Sequence, residues 1–124
     1  MNKKIITGVV LASLLLIVGG IFLVSKTSAP VLTGLDDFAK CLSSKDVVMY
    51  GAAWCSHCQN TKKTFGESFK YIKYVECPVE TKLCLEKQVS GYPTWILADG
   101  TKLEGEQTLE KLAEVSSCPL TKSE

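Results

Sequence analysis

The sequence contains no arginine and only one histidine, so its positive charge comes from 14 lysines, which 13 acidic residues nearly balance. Without arginine the chain lacks the planar, bidentate donor typical of phosphate-reading surfaces, and its lysines form no basic tail. Internal repeats and low-complexity tracts are also absent. These absences argue against a nucleic-acid-binding protein and predict one small domain.

Charged residues are also missing from residues 5–24, a stretch of 20 residues that is long enough to cross a bilayer as a helix. A cleaved signal peptide is the alternative interpretation. Its apolar region would usually span about 7–15 residues, and the nearest small-residue cleavage site, residues 27–29, is followed by Pro30. The sequence therefore predicts an uncleaved membrane anchor in residues 1–24 and a short linker in residues 25–34.

Lysines flank the uncharged stretch unequally, because Lys3 and Lys4 precede it and only Lys26 follows it closely. By the positive-inside rule we expect a single-pass protein of the cell membrane with a cytoplasmic N terminus and an extracytoplasmic domain, residues 35–124. All six cysteines lie in this domain, at positions Cys41, Cys55, Cys58, Cys77, Cys84 and Cys118. An even number of cysteines in a small exported domain predicts disulfides, most simply three.

Hydrophobic periodicity predicts the order helix, strand, helix, strand, helix, hairpin and helix in the exported domain. Residues 47–50 form an apolar run typical of a central strand that is buried on both faces. In the helix expected next, Phe65 and Phe69 are four residues apart and belong to the core-facing side. A second strand at residues 71–76 implies a parallel pair with a right-handed crossover. The predicted fold class is α/β, with a mixed four-stranded sheet flanked by helices.

The stretch Trp54-Cys55-Ser56-His57-Cys58 follows the predicted central strand and opens the next helix. At a helix N terminus the unpaired backbone N–H groups and the helix dipole favour a thiolate, so Cys55 is the predicted nucleophile and Cys58 the resolving thiol. His57 can add a positive charge or a hydrogen bond to the thiolate. Stabilising the reduced, thiolate form makes the disulfide a better oxidant. We therefore assign Cys55, Cys58 and His57 to catalysis.

An inert disulfide or a zinc site is the alternative interpretation of these two cysteines. Structural zinc sites usually present paired C-x-x-C units or C-x-x-C with H-x-x-x-H. Cys77 and Cys84, by contrast, are separated by six residues. The sequence therefore predicts no metal and no cofactor other than the redox-active disulfide itself.

These motifs resemble the thioredoxin superfamily over almost all of residues 35–118. The superfamily has an apolar strand, W-C-x-x-C, a helix, a strand and, much later, a cis-proline that faces the sulfurs. The matching segments are residues 47–50, residues 54–58 and Gly91-Tyr92-Pro93-Thr94. The resemblance implies a thioredoxin-like fold, a cis Pro93 and an extended substrate segment that docks like a β-strand. It assigns substrate contact to Trp54, Tyr92, Pro93 and Thr94.

The stretches "MYGAAWCSHCQNTKKTFG", "YVEC" and "GYPTW" are similar to the thioredoxin-like domains associated with bacterial and plant homologues of vitamin K epoxide reductase. That similarity implies a structural disulfide between Cys77 and Cys84. It also implies a separate membrane oxidase, linked to a quinone, as redox partner. The Cys-x-His-Cys form resembles that of oxidising members such as DsbA and protein disulfide isomerase.

Two features lie outside the motif. Cys41 and Cys118 end predicted helices at the sheet edge opposite the active site, which suggests a bridge between them, although six cysteines allow 15 pairings. Thioredoxin and DsbA carry a buried acid six residues before the first cysteine, where this chain has Met49. Proton transfer is then left to water, to His57 or to a more distant glutamate.

The sequence therefore predicts a membrane-anchored thiol–disulfide oxidoreductase that introduces disulfides into exported proteins through Cys55 and Cys58. A reductase or isomerase with the same fold is the first alternative. A non-catalytic adaptor that only holds client proteins in the proline-lined groove is the second. A monomer is expected in each case.

Overall fold

The computed structural model describes residues 33–121. The predicted anchor, residues 1–24, lies outside this range, as does nearly all of the predicted linker, so both stay predictions. Within the described range, the helices are all too short or too polar to cross a membrane.

The described chain contains four α-helices, one 3₁₀ helix and four strands. In chain order they are α1 (Thr33–Ser44), β1 (Val48–Gly51), α2 (Ser56–Phe65), the 3₁₀ helix (Gly66–Tyr71), β2 (Lys73–Glu76), α3 (Thr81–Glu86), β3 (Thr94–Ile96), β4 (Lys102–Glu104) and α4 (Leu109–Ser116). The strands form one sheet in the order β2-β1-β3-β4. Strand β1 pairs with β2 in parallel and with β3 antiparallel, and β3 pairs with β4 antiparallel. The predicted α/β class and mixed four-stranded sheet are confirmed.

Strand β1 lies in the middle of the sheet because its apolar residues can be buried on both faces. Met49 is fully buried and pairs with Tyr74 of β2 on one side and with Trp95 of β3 on the other. At the C-terminal end of β1, the Gly51 carbonyl accepts a hydrogen bond of 2.8 Å from the Cys77 backbone N–H. The chain therefore passes from the end of β1 directly into the cysteine motif.

Helix α2 ends earlier than the sequence pattern suggested. Gly66 has a φ of +55°, and its N–H bonds the carbonyls of Lys62 and Lys63, which closes the helix. Glycine adopts this conformation without the steric penalty that other residues have, so the chain stops here and continues as the 3₁₀ helix. Phe65 remains in the core, whereas Phe69 is half-buried and meets the Phe65 ring edge-on at 6.3 Å.

The main core lies between the sheet and the helices that carry aromatic residues. Trp95 is fully buried, as expected for a core residue, and its ring lies 6.1 Å from that of Phe65. Phe38 of α1 stacks on Phe65 at the same distance. Each such side chain contributes about 1.5–3 kcal/mol of burial free energy, so this cluster fixes α1 and α2 against the sheet.

Two disulfides lie outside the cysteine motif. Cys41 of α1 is bonded to Cys118, which follows α4, across a sequence separation of 77 residues. Cys77 and Cys84 close the loop between β2 and α3 across a separation of 7 residues. Because the entropy removed from the unfolded chain grows with loop length, the first bond contributes about 4.5 kcal/mol and the second about 2.5 kcal/mol.

Candidate active site

Cys55 occupies the N-cap position of α2 in an extended backbone conformation. Its backbone N–H donates to the Ala52 carbonyl at 3.1 Å, and its sulfur accepts a hydrogen bond from the Cys58 backbone N–H at 3.3 Å. A cysteine sulfur here does what a serine or aspartate oxygen does at most helix starts. The local fold therefore directs the Cys55 sulfur at the positive end of the helix dipole.

Cys55 and Cys58 are the two cysteines that no disulfide binds. Cys55 retains 7% of its surface exposed, whereas Cys58 is fully buried one turn into α2. Burial, and next the hydrogen bond with the Cys55 thiol, raise the pKa of Cys58 to about 11. The outer sulfur can thus meet another molecule, while the inner one is held as a protonated thiol at neutral pH.

The segment before β3 forms the opposite side of the site. The Tyr92–Pro93 peptide bond is cis, and the Tyr92 carbonyl oxygen lies 3.6 Å from the Cys55 sulfur, within reach of its S–H. Pro93 is buried, and its carbonyl accepts a 2.7 Å hydrogen bond from the Gly105 N–H. Thr94 is fully buried and its hydroxyl donates to the Gly91 carbonyl at 2.8 Å, so it shapes the turn from inside.

Trp54 is the large exposed side chain beside this dithiol. It is 71% exposed, and its ring meets that of Tyr92 edge-on at 5.9 Å. Trp54 and Tyr92 therefore form an aromatic rim above the Cys55 sulfur, where a bound segment would gain apolar contact. The predicted substrate contacts of Trp54, Tyr92, Pro93 and Thr94 stay predictions. The structure places the Tyr92 carbonyl beside the Cys55 sulfur and the Trp54 ring against Tyr92.

His57 contacts an acidic side chain from a distant part of the sequence. Its side chain is 65% exposed, and its Nδ1 atom lies 2.5 Å from Glu106 Oε2 in the loop between β4 and α4. The sequence suggested contact with the Cys55 thiolate, and in the structure the ring contacts Glu106 instead. The catalytic role of His57 stays a prediction.

Sequence analysis missed a polar group beside Cys58. The Tyr74 hydroxyl donates to Glu76 Oε2 at 2.6 Å, and the Ala53 N–H donates to Glu76 Oε1 at 2.8 Å. Burial and the Glu76 hydrogen bond raise the pKa of Tyr74 well above its usual range, whereas the Tyr74 hydrogen bond lowers the pKa of Glu76. The signal was present as "YVEC", but the link to Cys58 depends on the parallel register.

A metal site is not evident among residues 33–121, because no three side chains of metal-binding type converge there. The six cysteines are distributed over two disulfides and one free pair. Of the six cysteines, Cys55 and Cys58 are therefore the two that can take part in thiol–disulfide exchange.

A helix-capping dithiol that faces a cis-proline turn on a mixed sheet defines a thiol–disulfide site. Consistent with this, the chain matches the thioredoxin family over residues 31–117 and belongs to that family. Proteins of this family use cysteine redox chemistry without a cofactor.

Two curated relatives extend the comparison. The thiol-disulfide oxidoreductase LTO1 of Arabidopsis thaliana is 40% identical over 106 residues, which cover 78% of this chain and 27% of the relative. The thioredoxin domain-containing protein 5 homolog of Drosophila melanogaster is 29% identical over 103 residues, covering 70% of this chain and 25% of the relative. This chain therefore spans about a quarter of the length of the curated relatives it matches.

Among solved structures, the poplar thioredoxin h PtTrxh4 is similar with a TM-score of 0.44 and 15% identity, over 64% of this chain and 82% of that one. The family and the names of the curated relatives support protein thiol–disulfide oxidoreductase activity.

Proposed function

We propose that this chain is a membrane-anchored, extracytoplasmic thiol–disulfide oxidoreductase that introduces disulfides into exported proteins. The observation that carries the proposal is the asymmetry of the free pair. Cys55 keeps 7% of its surface exposed at the helix N terminus beside the Tyr92 carbonyl, and Cys58 has none exposed. One sulfur can exchange with a substrate while the other closes or opens the intramolecular bond.

In the oxidising direction the cycle starts from the Cys55–Cys58 disulfide. A substrate thiolate attacks the Cys55 sulfur, the S–S bond breaks, and Cys58 leaves as a thiolate that takes a proton from water. A second substrate thiolate then attacks the substrate sulfur of the mixed disulfide and releases Cys55. Two electrons pass from the substrate to the cysteine pair, and the substrate gains one disulfide.

The compartment is supported by the cysteines that take no part in this cycle. Two closed disulfides in so small a domain are typical of proteins exported to an oxidising environment. Residues 5–24, which carry no charge, support a single anchor that keeps the domain at the outer membrane surface. In this proposal the chain acts as a monomer, and a separate quinone-linked membrane oxidase, similar to vitamin K epoxide reductase, restores the disulfide.

The oxidising direction is favoured by the insert Ser56-His57, which resembles that of oxidising family members. The test is the reduction potential of the full chain in detergent micelles, equilibrated with glutathione buffers. We expect a value well above about −200 mV, whereas a value near −270 mV would make the protein a reductase.

An enzyme and a non-catalytic adaptor can be distinguished by trapping mixed disulfides between the chain and its partners. In cells, Cys58→Ala is expected to accumulate mixed disulfides with exported proteins, because its Cys55 thiolate can still attack their disulfides and no Cys58 remains to displace the bound partner from Cys55. Cys55→Ala serves as the matched control and should trap none. If neither variant traps a partner and exported proteins still form their disulfides, the chain is an adaptor and not an enzyme.

Anchoring is tested with the same tagged chain. The full-length protein should remain in the membrane pellet after alkaline carbonate extraction, and a variant without residues 1–24 should not. A soluble, shortened product from the unaltered chain would instead indicate a cleaved signal peptide.

A further inference from the structure

Cys58 lies beside a charged group that the cysteine motif does not contain. Lys62 is four residues after Cys58 on α2, so the two side chains belong to the same helix face. The Lys62 ammonium nitrogen lies 3.9 Å from the centre of the Tyr74 ring, a close cation–π contact. Lys62 also contacts the Phe69 ring at 5.4 Å. Two aromatic rings thus hold one ammonium on the Cys58 side of the helix.

Gly51 shows how closely Cys58 and Tyr74 pack. A methyl group built at Gly51 would lie 2.8 Å from the Cys58 sulfur and 3.3 Å from the Tyr74 hydroxyl oxygen. The Cys58 sulfur and the Tyr74 hydroxyl oxygen thus lie within about 6 Å of each other. The ammonium that rests on the Tyr74 ring is therefore near enough for its charge to act on Cys58. Glycine at this position leaves the space between sulfur and phenol free of any side chain.

Glu76 fixes the Tyr74 ring in this position. One carboxylate oxygen accepts the Tyr74 hydroxyl at 2.6 Å, and the other accepts the Ala53 N–H at 2.8 Å. Because both oxygens are engaged, the ring is tied to the loop that carries the cysteine motif. The surface on which the Lys62 ammonium rests is therefore oriented by two hydrogen bonds.

We propose that the Lys62 ammonium stabilises the thiolate of Cys58, and that Tyr74 and Glu76 are the residues that position it. The inference rests on the proposed thiol–disulfide function and adds the group that controls charge on the inner sulfur.

The same thiolate occurs in both directions of the reaction. When a substrate thiolate attacks Cys55, the Cys55–Cys58 bond breaks and Cys58 carries the negative charge until water protonates it. In the reverse step the Cys58 thiol loses its proton to water, its thiolate attacks Cys55, and the substrate leaves as a thiolate. Lys62 lowers the activation free energy of both steps, because the Cys58 thiolate forms in each of them and the ammonium stabilises it.

The charged and titratable groups that face Cys58 have opposing effects. Burial and the Cys55 thiol raise the pKa of Cys58, whereas a hydrogen bond with the Ala52 backbone and, next, the charge of Lys62 lower it. Glu76, across the Tyr74 ring, has its own pKa lowered by Lys62. Lys62 is the positive group of this set, so its removal should make the Cys58 thiolate harder to form.

The test measures Cys58 in the full chain in detergent micelles. A mixed disulfide between Cys55 and glutathione is prepared, and the release of glutathione by Cys58 is followed from pH 7 to 10. Lys62→Met should slow release about three- to tenfold across this range, as expected from losing one charge at short distance. Lys62→Arg should restore most of the rate. Lys63→Met, at the adjacent exposed lysine, is the matched control and should leave it unchanged.

A second measurement does not require turnover. In a Cys55→Ala background, the ¹³Cβ chemical shift of Cys58 reports its thiolate fraction directly, and Lys62→Met should reduce that fraction about three- to tenfold below the midpoint. Equal shifts and equal release rates in the Lys62→Met and Lys63→Met variants would overturn the inference. If the Lys62 effect on Cys58 is present but the chain neither oxidises nor reduces proteins, the proposed function fails and the inference stands.

Discussion

The two ends of strand β1 use their cysteines in opposite ways. Before the strand, Cys41 of α1 is bonded to Cys118, and the Lys45 ammonium donates to the Ser116 carbonyl at 2.7 Å. After the strand, Cys55 and Cys58 remain free at the start of α2. One end is closed covalently and the other is left open for exchange. Strand β1 therefore lies between a disulfide that stabilises the fold and a cysteine pair that is free to react.

The largest effect should come from the open end. Cys55→Ala removes the accessible sulfur, so we expect thiol–disulfide exchange activity to fall by more than about 1000-fold. Unfolding free energy should fall by only about 1 kcal/mol, the usual cost of losing a helix N-cap. Activity assays on a dithiol substrate and a melting curve measure the two quantities. A large loss of stability in this variant would break the contrast between the two ends.

Variants that lack a disulfide should show the opposite pattern, which is a loss of stability without a loss of redox activity. The double variant Cys41→Ser, Cys118→Ser is expected to lose about 4.5 kcal/mol of unfolding free energy. Cys77→Ser, Cys84→Ser, which opens the loop beside the other end of β1, should lose about 2.5 kcal/mol because its loop is shorter. Urea unfolding under non-reducing conditions gives both values. The folded fraction of the first variant should keep its reduction potential. A shifted potential would mean that the closed end also tunes the dithiol.

Alkaline pH should lower the unfolding free energy of the protein when Cys55 and Cys58 are reduced. Because the folded-state pKa of Cys58 is raised to about 11, the folded protein holds that proton more tightly than the unfolded chain does. This stabilisation is present at neutral pH and is lost as pH rises from about 9 towards 11, up to about 2.5 kcal/mol in total. From about pH 9 to 11, the unfolding free energy of Cys55→Ala should therefore fall more steeply than that of Cys55→Ala, Cys58→Ala, in which the raised pKa values of Tyr50 and Tyr74 still give an alkaline slope. Parallel curves would contradict the raised pKa.

Close packing at Gly51 gives the smallest expected effect. Gly51→Ala places a methyl group 2.8 Å from the Cys58 sulfur and 3.1 Å from Tyr74 Cε2, so we expect about 1–3 kcal/mol of destabilisation. Gly91→Ala is the matched control, since a methyl group there would meet no atom within 4 Å. Denaturant midpoints for both variants test this. Equal midpoints would show that Cys58 and Tyr74 move apart freely.

Much of the architecture followed from local pattern. The apolar run at residues 47–50 predicted the central strand, and the cysteine spacing predicted the start of α2. The end of α2 was missed because a glycine inside a helical pattern usually costs only about 1 kcal/mol. Here Gly66 instead takes a positive φ that allows the chain to turn into the 3₁₀ helix.

The partners of the active-site side chains were harder to predict than the motif itself. His57 contacts Glu106, which is 49 residues away in sequence. Cys58 lies near Tyr74 only because β1 and β2 pair in a particular parallel register. Neither contact leaves a periodic signal. Long-range register depends on how the whole sheet packs, and single-sequence patterns do not contain it.

The link between the Cys77–Cys84 loop and the cysteine motif has a consequence for protein engineering. The Cys77 N–H bonds the Gly51 carbonyl, and the Glu76 carboxylate bonds the Ala53 N–H. The pentapeptide of residues 54–58 is therefore not a transferable part by itself. A graft that is meant to reproduce this dithiol on another scaffold would have to carry the adjoining strand β2 and its disulfide loop as well.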